Sequence, residues 1–306
     1  MKVLITGGAG YVGTNLTQAL AQQESVEEII IYDNLSHGHS NFFIGERISN
    51  HTKVRFVNAD ILDSRQLKKA LEQVDSVVHL AARVTTPFAN TDPHFFEQIN
   101  HWGTAEVVYA AEEKSIDKLI YLSSTSAFGA SSKMINEETI PVPRTFYGIS
   151  KMRGEEQVRR LSEKMNCLIL RAGNVYGYSK SMRFDAVINR FMFHANFAGR
   201  IQIYGTGKQT RGFIHIDYLI DTIVKSLLGQ VPSGTYNLVD KNLMIFDIVD
   251  VLKEMYPDLE FLFSNQHMNL RELKVERESK LYEHIARYDT KELKSELEEM
   301  KNQFSF

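Results

Sequence analysis

Three side chains in this sequence can do acid–base chemistry on an alcohol. Tyr147 and Lys151 stand four apart in Tyr147-Gly148-Ile149-Ser150-Lys151, and positions four apart share a face when the segment is helical. A free phenol titrates near ~10 and needs help to act as a base near neutrality. A neighbouring ammonium favours the phenolate, and a nicotinamide cation would favour it further. Lys151 could also hold the ribose hydroxyls of a nicotinamide nucleotide. Ser124, in Ser123-Ser124-Thr125, could hydrogen-bond the oxygen being oxidised. Exposed Tyr/Lys pairs are common on helices, so the trio takes its meaning from the rest of the chain.

The first turn supplies that meaning. Lys2-Val3-Leu4-Ile5 reads as a strand, and Val12, Leu16, Ala19 and Leu20 recur at helical spacing. Between them lies Thr6-Gly7-Gly8-Ala9-Gly10-Tyr11-Val12-Gly13. Glycines between a buried strand and a helix suit a dinucleotide pyrophosphate at the helix N-terminus. Gly7 permits an unusual backbone angle, Gly10 a close approach to phosphate, and Gly13 tight helix–strand packing. The Gly-x-x-Gly-x-x-Gly spacing differs from the commoner Gly-x-Gly-x-x-Gly. The next apolar run, Ile29-Ile30-Ile31-Tyr32, ends in Asp33. An acid there accepts bonds from an adenosine ribose and repels a 2′-phosphate, which favours NAD over NADP.

Strand and helix patterns alternate through the first half. Val54–Val57, Val77–Leu80 and Leu119–Leu122 read as strands; Asp63 caps one helix, Asp92-Pro93 opens another that ends near Ala111, and a helix runs from about Tyr147 to Met165. Such alternation implies a parallel sheet, with ligands at the strands' carboxyl ends. The glycine turn, Asp33, Asp60, Ala81 and Ser124 all fall there. The charged stretch from Lys291 to Lys301 reads as a solvated surface helix. Net charge is −3 over 306 residues, which does not suggest nucleic acid or an anionic membrane. No run is long and apolar enough to span a bilayer. The lone Cys167 reads as a buried strand residue. A soluble, cytoplasmic protein is the expectation, and no metal is expected.

These motifs in this order resemble the extended short-chain dehydrogenases/reductases, in the branch acting on nucleotide sugars. The resemblance runs from residue 1 to about 217. Besides the glycine turn it rests on Asp33-Asn34-Leu35-Ser36-x-Gly38, Asp60-Ile61, His79-Leu80-Ala81-Ala82, Asn100-x-x-Gly103-Thr104, Ser123-Ser124, Tyr147-x-x-x-Lys151, Leu170-Arg171 and Asn174-Val175-Tyr176-Gly177. It implies an α/β fold: a Rossmann-type doubly wound parallel sheet in residues 1–173, a smaller substrate-binding domain in 174–306, and residues 212–240 packing back on the first. It implies that Gly7, Gly10, Tyr11, Val12, Gly13, Asp33, Asn34, Ser36, Gly38, Asp60, Ile61, Leu80, Ala81, Ala82 and Asn100 serve NAD, together with Tyr147 and Lys151. Ser124, Tyr147 and Lys151 would be catalytic. Thr85, Ser124, Thr125, Asn174, Arg211 and Arg271 would meet a nucleotide-diphosphate sugar, two arginines clamping the diphosphate. A homodimer is common in the branch.

One departure bears on the reaction. Dehydratases and decarboxylases of this kind usually carry an acid just after the catalytic Ser/Thr, where this chain has Thr125 and Ser126. Without that acid, water elimination has no obvious proton donor. The expected reaction is therefore epimerisation, at C4. The competing readings are a dehydratase or reductase with an unusual acid, a non-catalytic dinucleotide sensor, and a reductase of small lipophilic carbonyls. His37 and His39 read as surface or adenosine-side groups, and His79 as support for a strand end.

Overall fold

The computed structural model describes residues 1–36, 38, 40–84, 92–264 and 272–305. β1 (Lys2–Thr6) passes through the glycine turn into α1 (Tyr11–Ala21). β2 (Glu28–Asp33), β3 (Val54–Asn58), α2 (Ser64–Ala70) and β4 (Ser76–His79) follow. Next come α3 (Pro93–Phe96), a π turn (Glu97–Trp102) and α4 (Gly103–Glu113). β5 (Lys118–Ser124), β6 (Met134–Ile135), α5 (Phe146–Arg160) and β7 (Asn166–Ala172) complete the first part. The remainder comprises β8 (Asn174–Tyr176), α6 (Val187–Ala198), β9 (Arg200–Tyr204), β10 (Thr210–His215), α7 (Ile216–Leu228), β11 (Gly234–Leu238), β12 (Lys241–Met244), α8 (Ile245–Met255), β13 (Glu260–Ser264), β14 (Lys274–Val275) and α9 (Leu293–Lys301).

Seven of these strands form one parallel sheet in the order β3-β2-β1-β4-β5-β7-β11. Its apolar runs are covered on both faces, as parallel sheets require. Side chains alternate across it. Ile5, Ile29 and Ile31 pack under Leu16 and Leu20 of α1 and Ile223 of α7. Leu4, Ile30 and Tyr32 pack on the other face with Val107 and Val108 of α4 and Val158 of α5. Each such buried side chain contributes roughly 1.5–3 kcal/mol. The strand order reverses between β1 and β4, which opens a crevice at their carboxyl ends.

Beyond β7 the chain builds a smaller sheet, β12-β10-β8, and a parallel pair, β13-β9. Ile201, Ile203, Phe213, Ile248, Leu252 and Leu297 fill a separate core there. β11 returns to the large sheet and pairs with β7.

Three helices differ from the sequence reading. The segment starting at Pro93 is helical through to Glu113, as expected, but its second turn is a π turn at Glu97–Trp102. Such turns are frequent at functional sites, and Asn100 in this one is wholly buried. The helix carrying Tyr147 stops at Arg160, and the chain turns at Leu161 toward β7. The C-terminal helix is not a solvated one. Leu293, Leu297, Met300 and Glu296 are buried on one face of α9. The Glu296 carboxylate meets Lys241 Nζ at 2.9 Å and accepts a hydrogen bond from the Tyr176 hydroxyl. Lys241 lies 55 residues away in the chain, so no local charge pattern announces the pair.

Candidate active site

A cavity of about 790 Å³ opens where the crevice predicts. Its adenosine-side wall starts at the glycine turn. Gly7 has φ +69°, and a Cβ there would meet the Ala81 backbone at 2.7 Å. A Cβ on Gly13 would strike the Gly7 carbonyl at 2.5 Å. No side chain caps the N-terminus of α1 at Gly10, so that end is left to an anion. Asp33 lines the cavity and accepts the Ala9 N–H at 3.1 Å and the Leu35 N–H at 2.8 Å. Asn34 donates to the Asp60 carboxylate at 2.6 Å. Two fixed carboxylates with acceptor capacity to spare suit a ribose diol and an adenine edge. Gly10, Tyr11, Val12, Ser36, Ile61, Leu80, Ala81 and Ala82 line the same wall. The cradle thus fits NAD: bare helix N-terminus for the pyrophosphate, acids for the ribose, apolar walls for the rings. Gly38 stands outside this wall.

At the other end Ser124, the last residue of β5, meets α5. Thr145 caps α5, its hydroxyl accepting the Gly148 N–H at 3.0 Å, which fixes Tyr147 in the first turn. Tyr147 is 9% exposed and hydrogen-bonds Ser124. Burial raises its phenol above the usual value, while the Arg183 charge and the Ser124 bond pull it back. Lys151 is 2% exposed, with Nζ 4.2 Å from the centre of the Tyr121 ring. Burial pushes its ammonium down to about 7, and the Glu155 carboxylate opposes that fall. The sequence reading assigned the cation acting on Tyr147 to Lys151; here the cation whose charge reaches the phenol is Arg183.

Asn100 lies behind the wall rather than on it. It accepts the Arg83 N–H at 2.7 Å and donates to the Arg83 carbonyl and the Ser150 hydroxyl, both at 3.0 Å. Its side chain therefore joins the cavity floor to α5, and it acts on any bound ligand through that backbone. His79 bridges the Thr6 and Thr104 hydroxyls at 2.6 and 2.9 Å. Burial, with Lys151 nearby, lowers its pKa to about 3, so it is neutral support for β1 and β4.

The substrate-side wall contains Thr125, Ser126, Asn174, Met182, Arg183, Phe184 and Asp185. Asn174 donates to the Gly212 carbonyl at 3.0 Å. Arg211 lies on β10 opposite Leu243 and is not part of this wall. Thr85, Arg271, His37 and His39 fall outside the described residues. Sequence reasoning missed Arg183 and Asp185, which pair at 2.8 and 3.1 Å. They sit in an irregular segment with no periodicity. The available signal was an opposite-charge Arg-x-Asp pair shortly after the recognised Tyr176-Gly177.

Known proteins resemble this chain in sequence and in fold. A model of the "NAD dependent epimerase/dehydratase family" matches residues 3–238. A dTDP-D-glucose 4,6-dehydratase of Bos taurus is 31% identical over 242 residues, covering 78% of this chain and 67% of that protein. A putative UDP-glucose 4-epimerase of Methanocaldococcus jannaschii is 32% identical over 220 residues, covering 70% and 69%. The UDP-glucuronic acid 4-epimerase of Bacillus cereus, solved with UDP-glucuronic acid and NAD, superposes with TM-score 0.87 at 25% identity, covering 99% of this chain and 98% of that one. Among described residues, no helix is long and apolar enough to cross a membrane.

Proposed function

The chain belongs to the NAD-dependent epimerase/dehydratase family, and we propose that within it the chain is a nucleotide-sugar 4-epimerase. The carrying observation is the wall after Ser124, where Thr125 and Ser126 present hydroxyls in place of a carboxyl acid. Tyr147 takes the proton of the C4 hydroxyl, and Ser124 hydrogen-bonds the same oxygen. Lys151 stabilises the phenolate and holds the nicotinamide ribose. NAD held against Ser124, Tyr147 and Lys151 would supply the hydride acceptor for C4 and, once reduced, the donor that returns it. Tyr147 returns the proton once the keto sugar has presented its other face. Tyr147 acts as base and then as acid; burial raises its pKa, and Arg183 and the Ser124 bond oppose that rise. Asn174 and Arg183 are proposed to hold the nucleotide-sugar end, with Arg211 and Arg271 further candidates for the diphosphate. Trp102 and Tyr109 are exposed large rings seven apart on one helical stretch. A homodimer using that helix is proposed.

The test is a panel of UDP-, GDP-, dTDP- and CDP-sugars with the NAD-loaded protein. The expected product has the mass of its substrate and the opposite C4 configuration, with no net NADH change. One observation favours dehydration as a second reading: Asp185 puts a carboxylate on the same wall, and its charge reaches Tyr147. Arg183 claims both of its oxygens, which leaves it poorly placed to donate a proton. A product lighter by one water would establish dehydration instead.

A further inference from the structure

Glu155 lies one turn beyond Lys151 and two beyond Tyr147 on α5, so the three share a helical face. It is completely buried. Oε1 accepts the Ser123 hydroxyl at 2.6 Å and Arg171 Nε at 2.8 Å. Oε2 accepts a nitrogen of Arg171 and one of Arg159, each at 2.6 Å. Ser123 and Arg171 are partners in the β5–β7 register, one step before Ser124 and Ala172. The Arg171 guanidinium also lies 4.6 Å from the Phe128 ring, in the turn that follows Ser124. One carboxylate therefore ties the helix bearing Tyr147 and Lys151 to the strand end bearing Ser124. Charge-assisted bonds of this kind are strong, and a buried carboxylate so saturated has one position.

We infer that Glu155 is a positioning residue for the Ser124–Tyr147–Lys151 trio, setting the helix-to-strand spacing and keeping a negative charge behind the Lys151 ammonium. The groups facing Lys151 are Glu155 from α5, Tyr121 from β5 and neutral His79 from β4. Arg171 from β7 and Arg159 from α5 face Glu155 in turn. Glu155 is thus the anion in this set, and it opposes the burial that strips Lys151 of its proton. Without it the ammonium would be lost at lower pH.

The inference rests on the catalytic reading, so its test has an arm that does not need turnover. Glu155→Gln and Glu155→Asp are compared with the parent as NAD-loaded proteins. For a nucleotide sugar that the parent converts, Glu155→Gln is expected to lower kcat about tenfold or more while KM stays within about threefold. The alkaline limb of the kcat profile should move toward acid, and Glu155→Asp should restore part of both. The second arm measures NAD affinity by calorimetry across the same pH range. The pH at which binding weakens should fall in Glu155→Gln, and Lys151→Met should abolish that dependence. If Glu155→Gln does not fold, Glu155→Gln with Arg171→Gln removes both buried charges and is read the same way. A parent inactive on every sugar would defeat the epimerase reading and leave the calorimetric arm to judge Glu155. Unchanged kcat and unchanged pH limbs in both arms, with only the melting temperature lowered, would overturn the inference.

Discussion

Glu155 and Glu296 are both buried carboxylates on helices, and each is held by a cation and a hydroxyl. Glu155 takes Arg171, Arg159 and Ser123 beneath Ser124, Tyr147 and Lys151. Glu296 takes Lys241 and Tyr176 where α9 docks on the small sheet. The first lies two helical turns from a phenol that lines the cavity, on that phenol's own helix. The second stitches a terminal helix to a core. The same physical device therefore serves geometry in one place and attachment in the other. Burial of charge alone does not say which.

Substitutions can break or sharpen that contrast. Tyr147→Phe should have the largest effect, lowering kcat about 10²–10⁴-fold on a converted sugar with the melting temperature little moved. Steady-state kinetics beside calorimetry reads both quantities. Glu296→Ala should do the reverse, costing about 1–3 kcal/mol of stability by leaving the buried Tyr176 hydroxyl without its acceptor and Lys241 with Asp240 alone. Turnover per folded molecule should hold, and urea denaturation with an activity assay checks the pair. Leu297→Ala, on the same buried face, should cost about 2–4 kcal/mol through its cavity. Lys294→Ala removes an exposed ion pair with Glu254 at 3.0 Å. It should change stability by less than about 1 kcal/mol. A kcat loss in Glu296→Ala comparable to that of Glu155→Gln would erase the distinction drawn here.

The two regions also differ in how openly the sequence displayed them. The large sheet was legible because most of its strands are apolar runs followed by a periodic helix, and the candidate residues it carries sit at strand ends. Asp33, Ser124 and the glycine turn could be placed by that rule alone. Tyr147 and Lys151 were legible through helical spacing. The same spacing extends to Glu155, yet a charged residue gives no sign of burial when its partners lie on another strand. Arg183 and Asp185 were illegible because they stand in a segment without period. Glu296 was illegible because α9 is rich in exposed charge, so a segment whose Leu293, Leu297 and Met300 are buried reads as a solvated helix. Asn100 was recognised as a motif residue, but the π turn that turns its amide toward Arg83 and Ser150 depends on packing rather than on local sequence.

The return of β11 to the outer side of β7 limits how this protein can be dissected. Lys118 of β5 also closes the carboxyl end of α7, donating to the carbonyls of Ser226, Leu227 and Gly229. A fragment stopping at residue 173 would look like a finished nucleotide-binding unit on paper. It would instead bare the hydrogen-bonding rim of β7 and uncover the apolar floor beneath α7, inviting strand-to-strand association between molecules. A self-sufficient piece must carry the chain on to about residue 240, and so must bring the intervening β8, β9 and β10 with it.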